Sequence, residues 1–450
     1  MAMLVYLVLG LLTAMGMGVF AWQSLREQQF RAVGVSAFLC LGGLLLASGA
    51  FWLPQFWLLR GAVVLAGCVI LMLVLFLLPV GRVANKNDVP MVRVDERDIM
   101  FARYRLHEGA PEYDAYYAMR PENKIIDDRI RAKPGLLSLN AKFAHPLHFR
   151  AADASFSIPA ALREHVDGLV AEEKVATADQ ITGYIKGLAL YYGAKTVGIT
   201  DLKPYHVYTN IGHGSGAYGA PVELDHAYAI AFTVEMADEM VSTAPHAPEA
   251  MEAARQYAEA AVTAVQLAHF IRSLGYEARA HIDGNYRVIA PLVARDAGLG
   301  EIGRMGLLMS PELGPRLRLG VVTTNLPLHV DERVPDDSVI DFCRICKKCA
   351  DNCPSKAISF EDRQEEDGVY RWKIDHIRCF SYWTMVGTDC GRCMAVCPYA
   401  HPGGFGHDLM RTAIRHSGFA RRAALRMDDL FYGRKPKGRR GPGWLRADLE

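Results

Sequence analysis

The opening of the chain alternates long apolar runs with short polar interruptions. Residues 3–22 form one uncharged stretch, residues 32–59 hold a second with Pro54 in the short turn after it, and residues 61–80 make a third. About twenty apolar residues cross a bilayer as a helix, because only a helix satisfies its own backbone polar groups in lipid. The pattern therefore predicts three spans. Trp22, Trp52 and Trp57 fall at span ends, where an aromatic belt would place them. A cleaved signal peptide would call for a basic segment ahead of a single run, and here no basic residue precedes the first run and two more follow it.

Beyond residue 82 the periodicity changes. Residues 83–164 are mixed, and His107, His145 and His148 within them read as surface or hydrogen-bonded histidines rather than ligands. Apolar spacing predicts a helix over 177–192 and another over 247–274, the latter stopped at Gly275. Strands are predicted at Lys195–Thr200, Tyr228–Met236, Arg287–Val293 and Arg318–Thr324. Helices interleaved with short β runs make the soluble part α+β. The expected segments are an anchor at 1–82, an extension at 83–164, a catalytic domain at 165–335, a cysteine module at 336–402 and a basic tail at 403–450.

Charge adds sidedness but no global field, since the formal net charge is only +1 over 450 residues. Arg26 and Arg31 lie between the first two spans, and Arg82, Lys86 and Arg93 follow the third. Between spans two and three the first charge is Arg60, placed to snorkel. The positive-inside bias then puts residues 83–450 in the cytoplasm. No histidine occurs in the first 82 residues, which excludes a bis-histidine haem in the anchor. The tail arginines and lysines, from Arg421 and Arg422 to Arg439 and Arg440, read as a solvated and partly disordered segment, or one that touches an anionic leaflet.

Two motifs carry candidate chemistry. Gly214, Gly216 and Gly219 spell G-x-G-x-x-G with Asp238 about twenty residues on, but Ala220-Pro221 and a strand-like run follow where a nucleotide fingerprint would open a helix. The segment is read instead as a ligand-facing loop. The cysteines are more telling. Cys40 and Cys68 sit in apolar runs, while eight of the ten crowd between residues 343 and 397. Cys343-x2-Cys346-x2-Cys349-x3-Cys353-Pro354 has bacterial ferredoxin spacing, and Cys379-x10-Cys390-x2-Cys393-x3-Cys397-Pro398 repeats it with a lengthened first gap. Two runs that both end in Cys-Pro favour a pair of 4Fe–4S clusters over zinc. In such a pair the fourth cysteine of each run ligates the other cluster. One set is then Cys343, Cys346, Cys349 and Cys397, and the other is Cys379, Cys390, Cys393 and Cys353. Clusters move single electrons and do no bond chemistry, so a second cofactor or acceptor is expected in the catalytic domain.

The chain resembles the reductive dehalogenases, corrinoid-dependent enzymes that remove halide from organohalides. The likeness runs from about residue 200 to 410 and rests on Phe270–Tyr276, Asp283-Gly-Asn285, Ala297–Gly306, Gly314–Arg318, Thr324–Pro327 and the cluster pair with Tyr382-Trp383. It implies a nitroreductase-like fold that buries cobalamin, a C-terminal dicluster ferredoxin-like module packed against it, and cofactor contacts at Gly214, Gly216, Leu299 and Gly300. It also implies a tyrosine proton donor, best matched by Tyr257, with Arg304 or Arg316 as the assisting cation and Asn285 orienting the phenol. A cation beside a phenol steadies developing oxyanion character. Respiratory members use a twin-arginine signal and a separate anchor, whereas this chain carries spans of its own. The expected partners are an organohalide, a bilayer and an electron donor that is a ferredoxin, a flavodoxin or a quinol-linked reductase, with no nucleic acid. An epoxyqueuosine-reductase-like enzyme and a tethered electron carrier are the alternatives; residues 165–330 lack the basic groove that tRNA would require.

Overall fold

The structure is a computed structural model that describes residues 1–78, 88–175 and 177–446, without the side chain of Phe405. The chain groups into two compact units. One comprises Met1–Ala84, Asp337–Lys348 and Pro402–Arg439; the other comprises Asn85–Asp336, Cys349–His401 and Arg440–Glu450. The cysteine module expected over 336–402 thus contributes its first helix to the unit that contains the anchor.

In that first unit the apolar runs become α1 (Ala2–Arg26), α2 (Phe30–Trp52) and α3 (Gln55–Leu77). All three are long and apolar enough to cross a membrane, and Pro54 stands at the N-cap of α3. The expected span end at residue 80 and the charges Arg82 and Lys86 lie outside the described residues. α1 and α2 meet through small residues. A Cβ on Gly10 would stand 2.6 Å from the Ala47 nitrogen, and one on Gly43 would stand 2.7 Å from the Ala14 nitrogen. Close backbone approach of this kind is how helices pack where lipid removes the hydrophobic drive to associate.

The tail does not stay solvated. It forms two helices, Phe405–His416 and Gly418–Phe431. Ala420, Ala424 and Phe431 recur at helical spacing among the arginines and are buried, a pattern that overall basicity conceals. The second of these helices is tied to Asp337–Cys346 by Arg421 Nε and Asp341 Oδ2 at 2.6 Å and, just past that helix, by Lys348 with Asp428; both pairs are buried.

The second unit has eight strands among the described residues: β1 (Thr196–Asp201), β2 (Tyr228–Glu235), β3 (Ala278–His281), β4 (Glu301–Ile302), β5 (Leu308–Met309), β6 (Leu317–Thr324), β7 (Gln364–Glu366) and β8 (Val369–Arg371). Four of them make an antiparallel sheet in the order β1-β2-β6-β3, with Phe232 opposite Gly320 and Val197. One face of β2 sends Ile230, Phe232 and Val234 against the long helix Ala247–Ser273, at Ala264, Leu267 and Ile271. The other face sends Ala229 and Ala231 against Val293 and Ala297. Both faces are covered, which is why β2 reads as a continuous apolar run rather than an alternating one. The strand expected over Arg287–Val293 is overturned. Val288 makes a single bridge to Val207, and Ala290–Asp296 is a helix with Pro291 in its first turn. A short apolar run does not distinguish the two periods.

Candidate active site

The long helix places Tyr257 halfway along its length, and β6 brings Arg318 to it with Cζ 5.0 Å from the ring centroid. Burial raises the Tyr257 phenol above its ordinary pKa, and the Arg318 charge pulls the other way. Burial alone would weaken the charge on Arg318, but Tyr257, Asp389 and Glu249 outweigh it and hold the guanidinium firmly protonated. Arg318 Nη2 meets Asp389 Oδ2 at 2.8 Å. Burial and then Asp389 lift the Glu249 carboxyl well above its ordinary range.

Tyr257, Tyr286, Asp283 and Arg318 all feel strong desolvation, yet each keeps partial exposure. Within this set Arg318 keeps Nε buried with no hydrogen-bond partner. A buried unpaired donor is costly unless something binds it. Tyr257 and Arg318 bring a phenol and a cation together at one place.

Asp389 also begins the loop that carries Cys390, so the tyrosine pair is one residue from a cysteine run. Cys390 and Gly391 both turn through positive φ, at 65° and 56°. Glycine is required at 391, because a Cβ there would stand 2.3 Å from Glu249 Oε1. Burial pushes Cys379 up to about 11, with Cys353 as the next contributor, and Cys393 up to about 12, with Cys379 and Cys353 next. Cys390 is raised by burial as well, with Cys393 and Cys379 among its neighbours. Cys353 comes from the first cysteine run, so its coupling to Cys379 and Cys393 is what an exchange of fourth ligands requires. The Ala357 amide donates to Cys353 Sγ at 3.3 Å, a bond that suits a thiolate ligand. Among the described residues no three His, Cys, Asp or Glu side chains converge on a point that would hold a single metal ion. Cys353, Cys379, Cys390 and Cys393 could each give a thiolate to a separate iron of a cubane.

The other expected residues are placed elsewhere. Arg316 donates to Ala400 O at 3.1 Å and to Met236 O, and pairs with Glu235 at 2.9 Å. Arg304 is buried, donates to Ser359 O at 2.8 Å and Glu361 O at 2.6 Å, and stacks 4.2 Å over Trp372. Both arginines brace backbone, and the cation over Tyr257 is Arg318. Asn285 accepts from Ser215 Oγ at 3.1 Å and Arg279 at 3.0 Å, so it pins the glycine loop at Gly214 and Gly216. Those two glycines have φ of 90° and 94°, and no helix follows the loop, as the sequence led us to expect. Leu299 is packed in the core, and a Cβ on Gly300 would stand 2.2 Å from Met309 O, so these two positions serve packing. Sequence reasoning missed Arg318, Asp389 and Glu249. Period-two spacing puts Arg316 and Arg318 on one side of an extended chain, and it cannot say which of them faces Tyr257.

Comparison with known proteins follows the same division of the chain. Residues 342–401 match the family described as a 4Fe-4S dicluster domain. Over 291 residues the chain is 34% identical to tetrachloroethene reductive dehalogenase from Sulfurospirillum multivorans, an overlap of 57% of this chain and 58% of that protein. A solved catabolic reductive dehalogenase in complex with 3-bromo-4-hydroxybenzoic acid superposes with a TM-score of 0.62 at 27% identity, covering 78% of this chain and 49% of that one. An epoxyqueuosine reductase from Lactococcus garvieae is 33% identical over 123 residues, 24% of this chain and 30% of that protein. The chain spans about half the length of the dehalogenases it matches.

Proposed function

We propose that the chain is a membrane-anchored reductive dehalogenase, an oxidoreductase that uses two 4Fe–4S clusters and a corrinoid to replace halogen by hydrogen on an organohalide. One observation carries this reading. Tyr257 lies under Arg318, and Arg318 is bonded to the residue before a cysteine of the second run. A proton donor and an electron path thus meet at one place. The net reaction takes two electrons and one proton per halide released, and the chain must deliver all three.

A bound corrinoid would supply the low-valent metal centre for the two-electron reduction of the carbon–halogen bond. The protein's part is to position and to move charge. Tyr257 holds the proton for the carbon that loses halide. Arg318 steadies the phenolate left behind, and Asp389 fixes the guanidinium in place. The cluster on Cys353, Cys379, Cys390 and Cys393 is the one beside this site. The other, on Cys343, Cys346, Cys349 and Cys397, rests on spacing. The three apolar helices support attachment to an inner membrane, and the arginines at 26 and 31 support a catalytic region on its cytoplasmic side.

The test is to express the chain with cobalamin supplied, reconstitute iron and sulfide, and reduce it with a low-potential viologen. We expect bound corrinoid in the visible spectrum, about eight irons per chain, and halide release from a panel of chlorinated ethenes and brominated hydroxybenzoates. Iron without corrinoid under those conditions would overturn the proposal.

A further inference from the structure

The helix Gly418–Phe431 is fastened at both ends to the membrane helices. At its start Ser417 Oγ donates to Leu75 O at 2.8 Å, and Phe419 meets Phe76 edge-on at 5.6 Å. At its end Arg31 Nε donates to Leu430 O at 2.9 Å, and Phe431 meets Phe20 at 5.2 Å. Leu75 and Phe76 close α3, while Phe20 and Arg31 flank the turn between α1 and α2. The fourteen-residue helix is about 21 Å long. It runs across one end of the three-helix bundle, so its axis lies in the plane where the apolar spans stop.

Its faces are divided. Arg421 and Asp428 point to the segment Asp337–Lys348, and Phe431 points to the spans. Phe419, Arg422, Arg426 and Leu430 recur every three or four residues and remain exposed, with Phe419 at 37% and Leu430 at 49%. Large apolar groups interleaved with arginines suit neither open water nor hydrocarbon. They suit the layer between, where apolar side chains enter the acyl boundary and guanidiniums reach phosphates.

We propose that this stripe is a binding surface for anionic phospholipid, and that it holds the helix Asp337–Cys346, with Cys343 and Cys346, against the headgroup layer. The inference rests on the reading of α1–α3 as spans. Buried ion pairs join the lipid-bound helix to the Cys343–Cys346 segment, so an electron donor for those cysteines must approach at the membrane surface.

The full chain in nanodiscs of mixed phosphatidylcholine and phosphatidylglycerol provides the test. One sample carries Leu430→p-benzoylphenylalanine and a second carries Leu71→p-benzoylphenylalanine, at an exposed position inside α3. After illumination, mass spectrometry should find phospholipid adducts on both, with phosphatidylglycerol enriched at position 430. Adding Arg422→Glu and Arg426→Glu should cut that enrichment at least threefold without changing adducts at position 71. Lipid adducts at 71 with none at 430, equal use of the two lipids at 430, or a polypeptide adduct there would each overturn the proposal while leaving the spans intact. An absence of lipid adducts at both positions would overturn the spans as well.

Discussion

Replacing Arg318 with glutamine removes the guanidinium centred 5.0 Å over the Tyr257 ring. At that separation, with an effective dielectric constant near 20, a unit charge and a developing phenolate attract by about 3 kcal/mol. Asp389, 2.8 Å from the same guanidinium, draws part of that charge, so we take about 2 kcal/mol as the loss, or about one and a half pKa units. The phenol pKa, already raised by burial, moves further up. Proton delivery to the substrate carbon should slow by about thirtyfold. The assay is halide release under viologen reduction, read as kcat/KM and as the solvent isotope effect, which should grow as proton transfer becomes limiting. Arg316→Gln is the control. That side chain braces Met236 O and Ala400 O, so its loss should lower the melting temperature while leaving the isotope effect alone. Wild-type kcat/KM in folded, corrinoid-loaded Arg318→Gln, together with an enlarged isotope effect in Arg316→Gln, would refute the assignment.

Three further outcomes follow from the same geometry. Cys353→Ser and Cys379→Ser should each lose the same cluster and give the same paramagnetic spectrum, whereas Cys397→Ser should lose the other; matching spectra for Cys353→Ser and Cys349→Ser would mean the fourth ligands are not exchanged. Gly391→Ala forces a Cβ to 2.3 Å from Glu249 Oε1 at a φ of 56° and should cost about 1–3 kcal/mol, seen as a lower melting temperature. Asp296 accepts hydrogen bonds from Tyr205 at 2.7 Å and Arg295 at 2.8 Å and meets His206 at 2.8 Å. Against the upward push of burial these partners hold its carboxyl well below the usual range. Its folded pKa is depressed, so its contribution is complete above about pH 4 and is lost as pH falls through the folded value. Asp296→Asn should therefore be less stable at neutral pH and show a shallower acid limb in pH-dependent melts.

Much of the architecture was legible because it depends on local pattern. The helix Ala247–Ser273 announced itself by apolar spacing and a stop at Gly275, and β2 and β6 by runs of branched and aromatic residues. Other elements were hidden. β3 is only four residues long, so its Ala-Arg-Ala-His alternation is too short to mark a strand. The tail helices were masked by arginine, since Ala420, Ala424 and Phe431 gain meaning only when something covers them. Asn285 and Arg304 were expected to orient and assist the tyrosine, yet their partners are the loop at Ser215 and the carbonyls of Ser359 and Glu361. Nothing near them in sequence names those partners.

What the amino-acid order determined alone is set by length and spacing. Twenty apolar residues can satisfy their backbone in lipid only as a helix, and cysteines separated by two residues bring thiols to one cubane. What the tertiary structure decided is which distant groups share a low-dielectric space. Arg316 stands just before β6 and Arg318 is its second residue, and a spacing of two gives them no distinction. Only the crossing of β6 with the Tyr257 helix, and the arrival of Asp389 from 71 residues further on, sets Arg318 over the phenol and leaves Arg316 to hold backbone. Contacts between segments that far apart depend on packing, and the chain order of the residues carries no record of them.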